Sequence, residues 1–417
     1  MVFYLVFSNN TAVGYTKAAI SGFSWQTMLK IATAGVTLAK IAVLARLLTP
    51  EQFGQFSLVS IALGLSEAVT ETGINVTILQ SKQSVEYFLN TAWVVAIVRG
   101  LLIGCLMILL GILMSQYYGD ATLSLLVAAA ALVPVVKGFI NPAIIHLRKE
   151  FRFFADSSFR FGLIVVDALL AIGLSLFMPS VSALILSLVG AALFEVGLSF
   201  AVFKLRPKFT VVPSRLREIL ANSRGLSIAT ALTYLNENLD NLIVGKLLGT
   251  YNLGLYHNGY RIGHKPNAEF ASAANHGIFP VFTKIGDDTV RLRRAFVRTS
   301  SLIIIGTLIA SLPLLLFPEL MISIVLGSQW LAIVPAVPWF TAAGLLQATH
   351  VLGYSVLITK KSYNLLNVHQ LCTVILISLL LWILCPLYGI VGAGMALFFG
   401  RIMVAPFLAY SLHRNLR

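Results

Sequence analysis

Residues 45–56 read ARLLTPEQFGQF, and residues 245–256 read GKLLGTYNLGLY. The two segments align without a gap at an offset of 200 positions. The matched positions are Arg46 with Lys246, Leu47 with Leu247, Leu48 with Leu248, Gly54 with Gly254 and Phe56 with Tyr256. Chance similarity between apolar segments is the alternative, but a matched basic–Leu–Leu run and a matched glycine favour an internal repeat. Such a repeat divides the chain into two similar halves.

The composition around this repeat is that of a membrane protein. The chain has 417 residues, of which 58% are hydrophobic and only 11% are charged, and its mean hydropathy is +0.88. A soluble domain carries about a quarter charged residues, so water-soluble, disordered and disulfide-rich secreted classes are excluded. Three cysteines lie in or beside apolar runs, where they are expected to be packing residues without disulfides or reactive roles.

Apolar runs follow one another from end to end of the chain, each close to the roughly 20 residues that a membrane-spanning helix needs. These runs are too long and too evenly apolar for strands of a membrane barrel. We therefore predict an all-α polytopic protein of about 12 transmembrane helices. The predicted spans are residues 22–48, 53–79, 92–116, 121–145, 159–178, 182–203, 226–248, 252–282, 299–318, 332–358, 364–385 and 389–412.

The basic residues alternate with these spans. In this arrangement 21 of the 30 Lys and Arg residues fall in segments on one side of the membrane. Because cytoplasmic loops are enriched in Lys and Arg, this predicts cytoplasmic N- and C-termini. The predicted organisation is an N-terminal cytoplasmic segment (1–21), a six-helix bundle (22–203), a cytoplasmic linker (204–225) and a second six-helix bundle (226–417). Six spans are an even number, so the two halves are predicted to be parallel repeats.

The net charge of +14 would suggest nucleic acid in a soluble chain, but here most of the excess is explained by topology. The sequence contains no GxSxG, HExxH, GxxxxGK[ST] or CxxC pattern, and its histidines lack ligand spacing. We therefore expect no catalytic residues, no bound metal, no cofactor and no nucleic-acid partner.

Nine basic residues remain within the predicted spans, where a charge is costly and usually faces a bundle interior or a watery cavity. They are Lys30, Lys40, Arg46, Arg99, Lys137, Lys246, Arg261, Lys265 and Arg401. Arg46, Lys246 and Arg401 are expected to extend to the membrane interface. The other six require a functional or structural explanation.

The eighth predicted span has the most informative pattern. A polar stripe at spacings of four, four, three and four consists of Arg261, Lys265, Glu269, Ser272 and His276, with Asn258 and His264 beside it. Pro266 within the stripe is expected to kink the helix. The functional interpretation is a cavity wall that presents cations to an anionic substrate. The alternative is a polar seam between helices, with internal ion pairs among Arg261, Lys265 and Glu269.

Acidic residues in three places are candidates for ion coupling. Glu67 and Glu71 lie four residues apart, Glu237 and Asp240 lie three apart, and the repeat aligns Asp240 with Lys40. Paired acids within a membrane are candidate proton or sodium sites. The alternative is that Glu67, Glu71 or Asp240 only neutralises Lys40 or Arg99. Asp167, Glu195 and Lys137 are isolated in sequence, so no partner is assigned to them.

Seven segments in chain order resemble one family. They are AAISGFSW (18–25), LARLLTPEQFGQFSLV (44–59), ETGINVTILQSK (71–82), HLRKEFRF (146–153), YLNENLDNLIVGKLLGTYNLGLYHNGYRI (234–262), FPVFTKIGDDTVRLRRAF (279–296) and VLGSQW (325–330). They resemble bacterial oligosaccharide flippases of the Wzx type, the polysaccharide-transport branch of the multidrug/oligosaccharidyl-lipid/polysaccharide exporter superfamily. Residues 1–15 depart from this pattern, and many members have 14 helices where about 12 are predicted here.

The resemblance implies a MATE-like flippase fold and transport of undecaprenyl-pyrophosphate-linked oligosaccharide for O-antigen, capsule or exopolysaccharide biosynthesis. It also implies membrane lipids, a polysaccharide polymerase and chain-length proteins as partners. By helix position, the cations expected to receive the pyrophosphate are Lys40, Arg261 and Lys265, with Lys30 and Arg99 behind them. The expected mechanism is alternating access of two six-helix bundles.

Three other functions compete with this interpretation. A cation-coupled drug exporter of the same superfamily would favour acidic and aromatic cavity walls over a basic stripe. A membrane polysaccharide polymerase or glycosyltransferase would need a sizeable outer loop with catalytic residues, and every predicted outer loop is short. A non-transporting scaffold does not explain cations within the membrane.

Overall fold

The computed structural model describes residues 29, 32–70, 73–150, 152–221 and 223–416. Most of these residues are helical, and no strand occurs in them. This is the form expected of a chain in lipid, because a helix satisfies its own backbone hydrogen bonds. The prediction of an all-α membrane protein is therefore confirmed.

The helices of the N-terminal part follow the predicted spans. We number them in chain order, beginning with α1 at residues 32–47. They continue as α2 (Pro50–Val69), α3 (Ile74–Gln80), α4 (Val85–Tyr118), α5 (Thr122–Ala130), α6 (Leu132–Lys137), a 3₁₀ turn (Pro142–Ile145), α7 (His146–Lys149), α8 (Phe153–Phe177), α9 (Val181–Val202) and α10 (Pro213–Ala221).

The C-terminal part contains longer helices with internal breaks. Its elements are α11 (Ser223–Gly259), a π-helical turn (Tyr260–His264), α12 (Lys265–Lys284), α13 (Thr289–Leu316), α14 (Pro318–Val325), a 3₁₀ helix (Ser328–Ala336), α15 (Val337–Thr359) and α16 (Tyr363–Asn415).

Two glycines separate consecutive predicted spans inside single long helices. Gly249 breaks α11 with a φ of 81°, and Gly389 breaks α16 with a φ of 58°. A positive φ is inexpensive only for glycine, which has no Cβ. A single residue at each site therefore turns the chain between two helical limbs.

Each predicted span is mainly helical where the structure describes it, but the span predicted at 121–145 is interrupted by non-helical residues at 138–141. By length and apolar composition, six helices among the described residues qualify as membrane spans, or up to eight if each of two bent pairs counts as one. The chain is therefore a multi-pass membrane protein. The count of 12 spans stays a prediction.

The chain divides into two compact units. The first contains residues 62–113 and 121–232 together with the described residues up to Leu47, and the second contains residues 48–61, 114–120 and 233–416. Neighbouring parts of α2 and of α4 thus belong to different units. The predicted domain boundaries at 203/204 and 225/226 stay a prediction.

In the first unit, the predicted linker includes an amphipathic helix. Ile219 of α10 is fully buried and packs with Ile78 and Phe88, whereas Arg217 is exposed. Arg215 of the same helix stacks over the Tyr87 ring, with its guanidinium carbon 4.2 Å from the ring centroid. This helix is therefore anchored to the bundle by one apolar and one cation–π contact.

In the second unit, the two aligned glycines of the repeat have reciprocal environments. A Cβ on Gly54 would lie 1.8 Å from the carbonyl oxygen of Thr250, and a Cβ on Gly254 would lie 1.8 Å from that of Pro50. Pro50 and Thr250 are themselves aligned by the offset of 200. The two segments therefore cross with backbone against backbone, which only glycine permits at these positions.

Candidate functional site

Lys40 forms an ion pair with a carboxylate in the first unit. Its Nζ lies 2.6 Å from Oδ2 of Asp167, on α8, and the two side chains are only 19% and 25% exposed. The second oxygen of Asp167 is buried and has no hydrogen-bond partner among the described residues. A cation from α1 is therefore held by an acid that the sequence left unassigned, and not by Glu67 or Asp240.

Arg99 contacts the backbone of α2. One guanidinium nitrogen, Nη2, donates to the carbonyl oxygen of Glu67 over 2.9 Å. This hydrogen bond uses the main chain of Glu67, whose side chain is half-buried. The structure thus places Arg99 beside α2, while Lys30 and Glu71 lie outside the described residues.

In the second unit, a π-helical turn at Tyr260–His264 connects α11 and α12. It comes directly before Pro266, which has no backbone N–H to donate and therefore cannot continue a regular α-helical ladder. Next to the predicted kink the structure has this π turn, which adds a residue to the helical turn and shifts the faces on either side. The kink itself stays a prediction. Across the π turn, Gly344 of α15 packs so closely that a Cβ there would lie 2.6 Å from the carbonyl oxygen of His264.

This shift separates the residues of the predicted polar stripe. Arg261 is half-buried, Lys265 and Glu269 are exposed, and Asn258 and His264 are buried. The side chain of His276 is not described. Among the described residues, neither Arg261 nor Lys265 forms an ion pair with a carboxylate, so the ion pairs of the alternative interpretation do not form there. Both cations act electrostatically on His257, which places them in one neighbourhood.

Asp240, which the repeat aligns with Lys40, is held by uncharged donors. Its Oδ2 accepts a hydrogen bond from the Tyr256 hydroxyl at 2.6 Å. Its Oδ1 accepts from the backbone and side-chain nitrogens of Asn241 at 2.8 and 3.0 Å. Tyr256 is completely buried and follows the break at Gly249, so its hydroxyl connects the two limbs of α11. Glu237, one turn before Asp240, is exposed.

Arg401 does not extend to an interface, contrary to the prediction. It is 7% exposed, its Nε donates to Oε1 of Gln347 at 3.0 Å, and its Nη1 donates to the carbonyl of Leu397 at 3.0 Å. The prediction was wrong because α16 packs this side chain against α15, where polar acceptors are available. Arg401 also interacts electrostatically with Asp240 and is part of the same polar interior.

The second unit contains four of the seven predicted site residues that the structure describes, namely Arg261, Lys265, Glu237 and Asp240. Tyr260 lies within electrostatic range of Asp240, Glu237, Glu269 and Arg401, and its ring stacks on His264 with 4.3 Å between centroids. The arrangement combines cations without carboxylate partners and an acid held by hydroxyl and amide donors. It can bind an anion and, separately, a cation. Across the described residues, no group of three or more His, Cys, Asp and Glu side chains could hold a metal.

Three side chains in these two units, Asp167 in the first and Arg401 and Tyr256 in the second, were not predicted as site residues. Asp167 carried a signal, since it is an acid in the middle of a predicted span, but its partner is 127 positions away. Arg401 lies at the centre of the last predicted span, so its side chain is too far from either end of the span to reach the membrane interface. Tyr256 carried no signal beyond the repeat, because tyrosine is common in membrane helices.

Comparison with known proteins identifies relatives in polysaccharide biosynthesis. The family described as "Polysaccharide biosynthesis protein" matches residues 43–335. The lipopolysaccharide biosynthesis protein WzxC of Escherichia coli (strain K12) is 24% identical over 347 residues, which cover 79% of this chain and 67% of WzxC.

Solved structures with the same fold are membrane transporters. The lipid II flippase MurJ in an inward closed conformation superimposes with a TM-score of 0.73 and 13% identity, covering 94% of this chain and 88% of MurJ. An inward-facing multidrug resistance MATE family transporter of the MOP superfamily superimposes with a TM-score of 0.60 and 13% identity, covering 92% and 95%. These likenesses confirm the predicted fold class.

Proposed function

The chain belongs to the polysaccharide biosynthesis protein family, and from that premise we propose that it flips a lipid-linked oligosaccharide across the bacterial inner membrane. The substrate would be an undecaprenyl-pyrophosphate-linked repeat unit used to build O-antigen, capsule or exopolysaccharide. The name of the relative WzxC, in lipopolysaccharide biosynthesis, supports this proposal. Cytoplasmic N- and C-termini, and contact with a polymerase and chain-length proteins, are parts of the same proposal.

The observation that carries the proposal is the pair of cations beside the π turn. Arg261 and Lys265 lie in a membrane protein without carboxylate partners among the residues described. A pyrophosphate that leaves water loses strong hydration, and charge-assisted hydrogen bonds from guanidinium and ammonium groups offset much of that loss. Arg261 would contact two phosphate oxygens in one plane, and Lys265 would supply a point charge.

In the first unit, Lys40 has a different role in this proposal. Its partner Asp167 competes with any anionic substrate for the same ammonium group. A substrate phosphate would therefore bind Lys40 only in a state where the distance to Asp167 increases, since both anions cannot occupy one short contact. Such state-dependent affinity is what a ligand needs to shift an equilibrium between two conformations. Arg99 and Lys30 are the further proposed contacts on this side.

Ion coupling is proposed at Asp240. A carboxylate held by a hydroxyl and an amide can exchange these donors for a proton or a sodium ion without losing an ion pair. Glu237, which is exposed one turn away, and the acids Glu67 and Glu71 are the other candidates. Alternating access would then link cation binding at Asp240 to substrate release.

The function is tested by depletion of the protein in its native host, followed by extraction of lipid-linked sugars. We expect complete repeat units to accumulate on the inner leaflet, because assembly continues while export stops. Accumulation of incomplete units would contradict the proposal and indicate an enzyme that builds the repeat unit.

The site is tested by Arg261→Gln and Lys265→Gln in a complementation strain. Each charge-assisted hydrogen bond contributes about 1.5–3 kcal/mol, so each variant should lower export by about tenfold to a hundredfold while the protein level is unchanged. Lys284→Gln, at the exposed end of the same helix, is the matched control and should export normally. Full export by both site variants would remove these residues from the binding site.

A drug exporter of the same superfamily is the second candidate, because a MATE transporter shares the fold. It predicts resistance to cationic drugs on overexpression and no change in lipid-linked sugars. The unpaired cations beside the π turn favour an anionic substrate over a cationic drug.

A further inference from the structure

The first three turns of α13 carry a row of exposed side chains that the transport site does not use. They are Val290, Arg293, Arg294, Val297 and Arg298, and they line an open groove of about 420 Å³. Their spacings of three, one, three and one place them on one face of the helix. All five are exposed. The face is therefore both basic and apolar.

The three arginines of this groove are not paired with an acidic side chain in the part of the chain that the structure describes. Among the residues that the structure describes, no carboxylate lies within ion-pair distance of Arg293, Arg294 or Arg298. The neighbouring Arg291 differs, because its Nε lies 3.1 Å from Oδ2 of Asp288. Three like charges at adjacent positions repel one another, so a bound anion would stabilise this part of α13.

The same face continues along α13 as an apolar ridge. Ile305, Ile309 and Leu312 follow Arg298 at helical spacing and are 54%, 61% and 41% exposed. The opposite face is buried, with Leu292 and Ile303 in contact with α12 and α15. The arginines thus lie at one end of an exposed apolar surface, on a helix that is long and apolar enough to span a membrane.

We propose that this groove binds the phosphate of an anionic phospholipid, whose acyl chains lie along the apolar ridge. Guanidinium groups match phosphodiester oxygens in geometry and charge, and basic clusters at the end of a spanning helix attract anionic lipids. Val297, which lies between Arg294 and Arg298, would contact the glycerol and the first methylene groups, whereas Val290 lies beyond the arginines, on the side of the head group. A free phosphate would use the arginines but not the valines or the ridge, so the lipid is the occupant that matches the whole face.

The test uses the purified full-length protein in a neutral detergent, with lipid binding followed by native mass spectrometry. Phosphatidylglycerol is titrated in parallel with phosphatidylcholine. We expect the triple variant Arg293→Gln, Arg294→Gln and Arg298→Gln to bind phosphatidylglycerol at least about tenfold more weakly, since each basic residue near an anionic surface contributes roughly fivefold. Binding of phosphatidylcholine should not change.

A control triple variant removes the same number of charges elsewhere. It combines Lys204→Gln, Lys208→Gln and Arg217→Gln, all at exposed positions of the other unit, and should retain phosphatidylglycerol binding. Equal loss in this control would overturn the proposal, because net charge alone would then explain binding. So would equal affinity of the unmodified protein for both lipids, or unchanged phosphatidylglycerol binding in the groove variant.

Two further probes distinguish the source of the phosphate. Inorganic phosphate at millimolar concentration should not displace phosphatidylglycerol, and displacement would indicate a free-phosphate site. Undecaprenyl phosphate should bind the groove variant as well as the unmodified protein, and a matching loss would assign the groove to the transported lipid. Single variants of Arg293 and Arg298, with thermal unfolding midpoints measured alongside, separate lost binding from lost folding.

Discussion

Positions 40 and 240 are equivalent in the internal repeat, yet their side chains and partners differ. Lys40 is neutralised by Asp167 at 2.6 Å, whereas Asp240 is held by the hydroxyl of Tyr256 at 2.6 Å and by Asn241. One half therefore stabilises its intramembrane charge with an opposite charge, and the other uses neutral donors. An ion pair resists a change of charge state, while a carboxylate with neutral donors can exchange them for a cation.

Positions 54 and 254 show the opposite behaviour, because both remain glycine. Each would place a Cβ 1.8 Å from a carbonyl oxygen of the other segment. Where the two segments of the repeat touch each other, the constraint is mutual and the residue type is preserved. At positions 40 and 240 the two side chains contact different helices. Each is therefore constrained by its own neighbours, and the two residue types differ.

The largest effect is expected from Gly54→Ala and Gly254→Ala. A methyl group at either position would overlap a backbone carbonyl, so we expect a loss of about 3 kcal/mol or more of folding free energy, or no folded protein. Thermal unfolding of the purified protein in detergent measures this loss. Gly35→Ala is the control, because a Cβ there meets nothing within 4 Å, and it should stabilise α1 by about 0.5–1 kcal/mol. Equal behaviour of the three variants would contradict the close crossing.

The next effect is expected from breaking the Lys40–Asp167 pair. Lys40→Met leaves a carboxylate without its cation, and because the side chains are partly exposed we expect about 2 kcal/mol of destabilisation. Asp167→Leu should cost a similar amount. The double variant should recover to within about 1 kcal/mol of the unmodified protein, because no charge is left unpaired. Additive losses in the double variant would show that the two residues do not interact.

A smaller effect is expected from Tyr256→Phe. This change removes one donor from Asp240 and should destabilise the protein by about 1–2 kcal/mol. Tyr260→Phe is the matched control, since its hydroxyl makes no hydrogen bond among the described residues and should matter little. If Tyr260→Phe cost as much stability as Tyr256→Phe, the hydrogen bond to Asp240 would not be the cause.

The smallest effect on stability, and a large one on transport, is expected from Asp240→Asn. The amide oxygen can still accept from the two nitrogens of Asn241, while the amide nitrogen donates to the Tyr256 hydroxyl oxygen, which accepts as well as donates. The free energy of unfolding should therefore change by less than about 1 kcal/mol. Export measured in membrane vesicles should lose its dependence on a proton or sodium gradient, because an amide does not bind these cations as a carboxylate does. Retained gradient dependence would exclude Asp240 from ion coupling.

Much of the fold could be predicted because helix formation in a membrane depends on the mean hydropathy of short segments. Each predicted span is mainly helical, since an apolar segment in lipid satisfies its backbone hydrogen bonds within a helix. The positions of the breaks at Gly249 and Gly389 were also visible as boundaries between spans. The π turn was visible only as an expected kink at Pro266, because the way a chain absorbs a proline depends on its neighbours.

Less of the candidate site could be predicted. The sequence identified Lys40, Arg99, Arg261, Lys265 and Asp240 as charges at membrane depth. It did not identify their partners, and it placed Arg401 at an interface when this residue is buried against Gln347. Asp167 is 127 positions away from Lys40. No helical spacing in the sequence indicates a partner at that distance.

The sequence by itself determined the membrane class, the helical form, the repeat and the scarcity of charge that makes each intramembrane charge informative. These properties follow from local composition and spacing, since each residue contributes separately to the free energy of transfer from water to lipid. Only the tertiary structure decided which charges are paired, which acid is held by neutral donors and which face of α13 is left exposed. These properties depend on which helices pack together, and packing joins residues whose separation along the chain is unrelated to their distance in space.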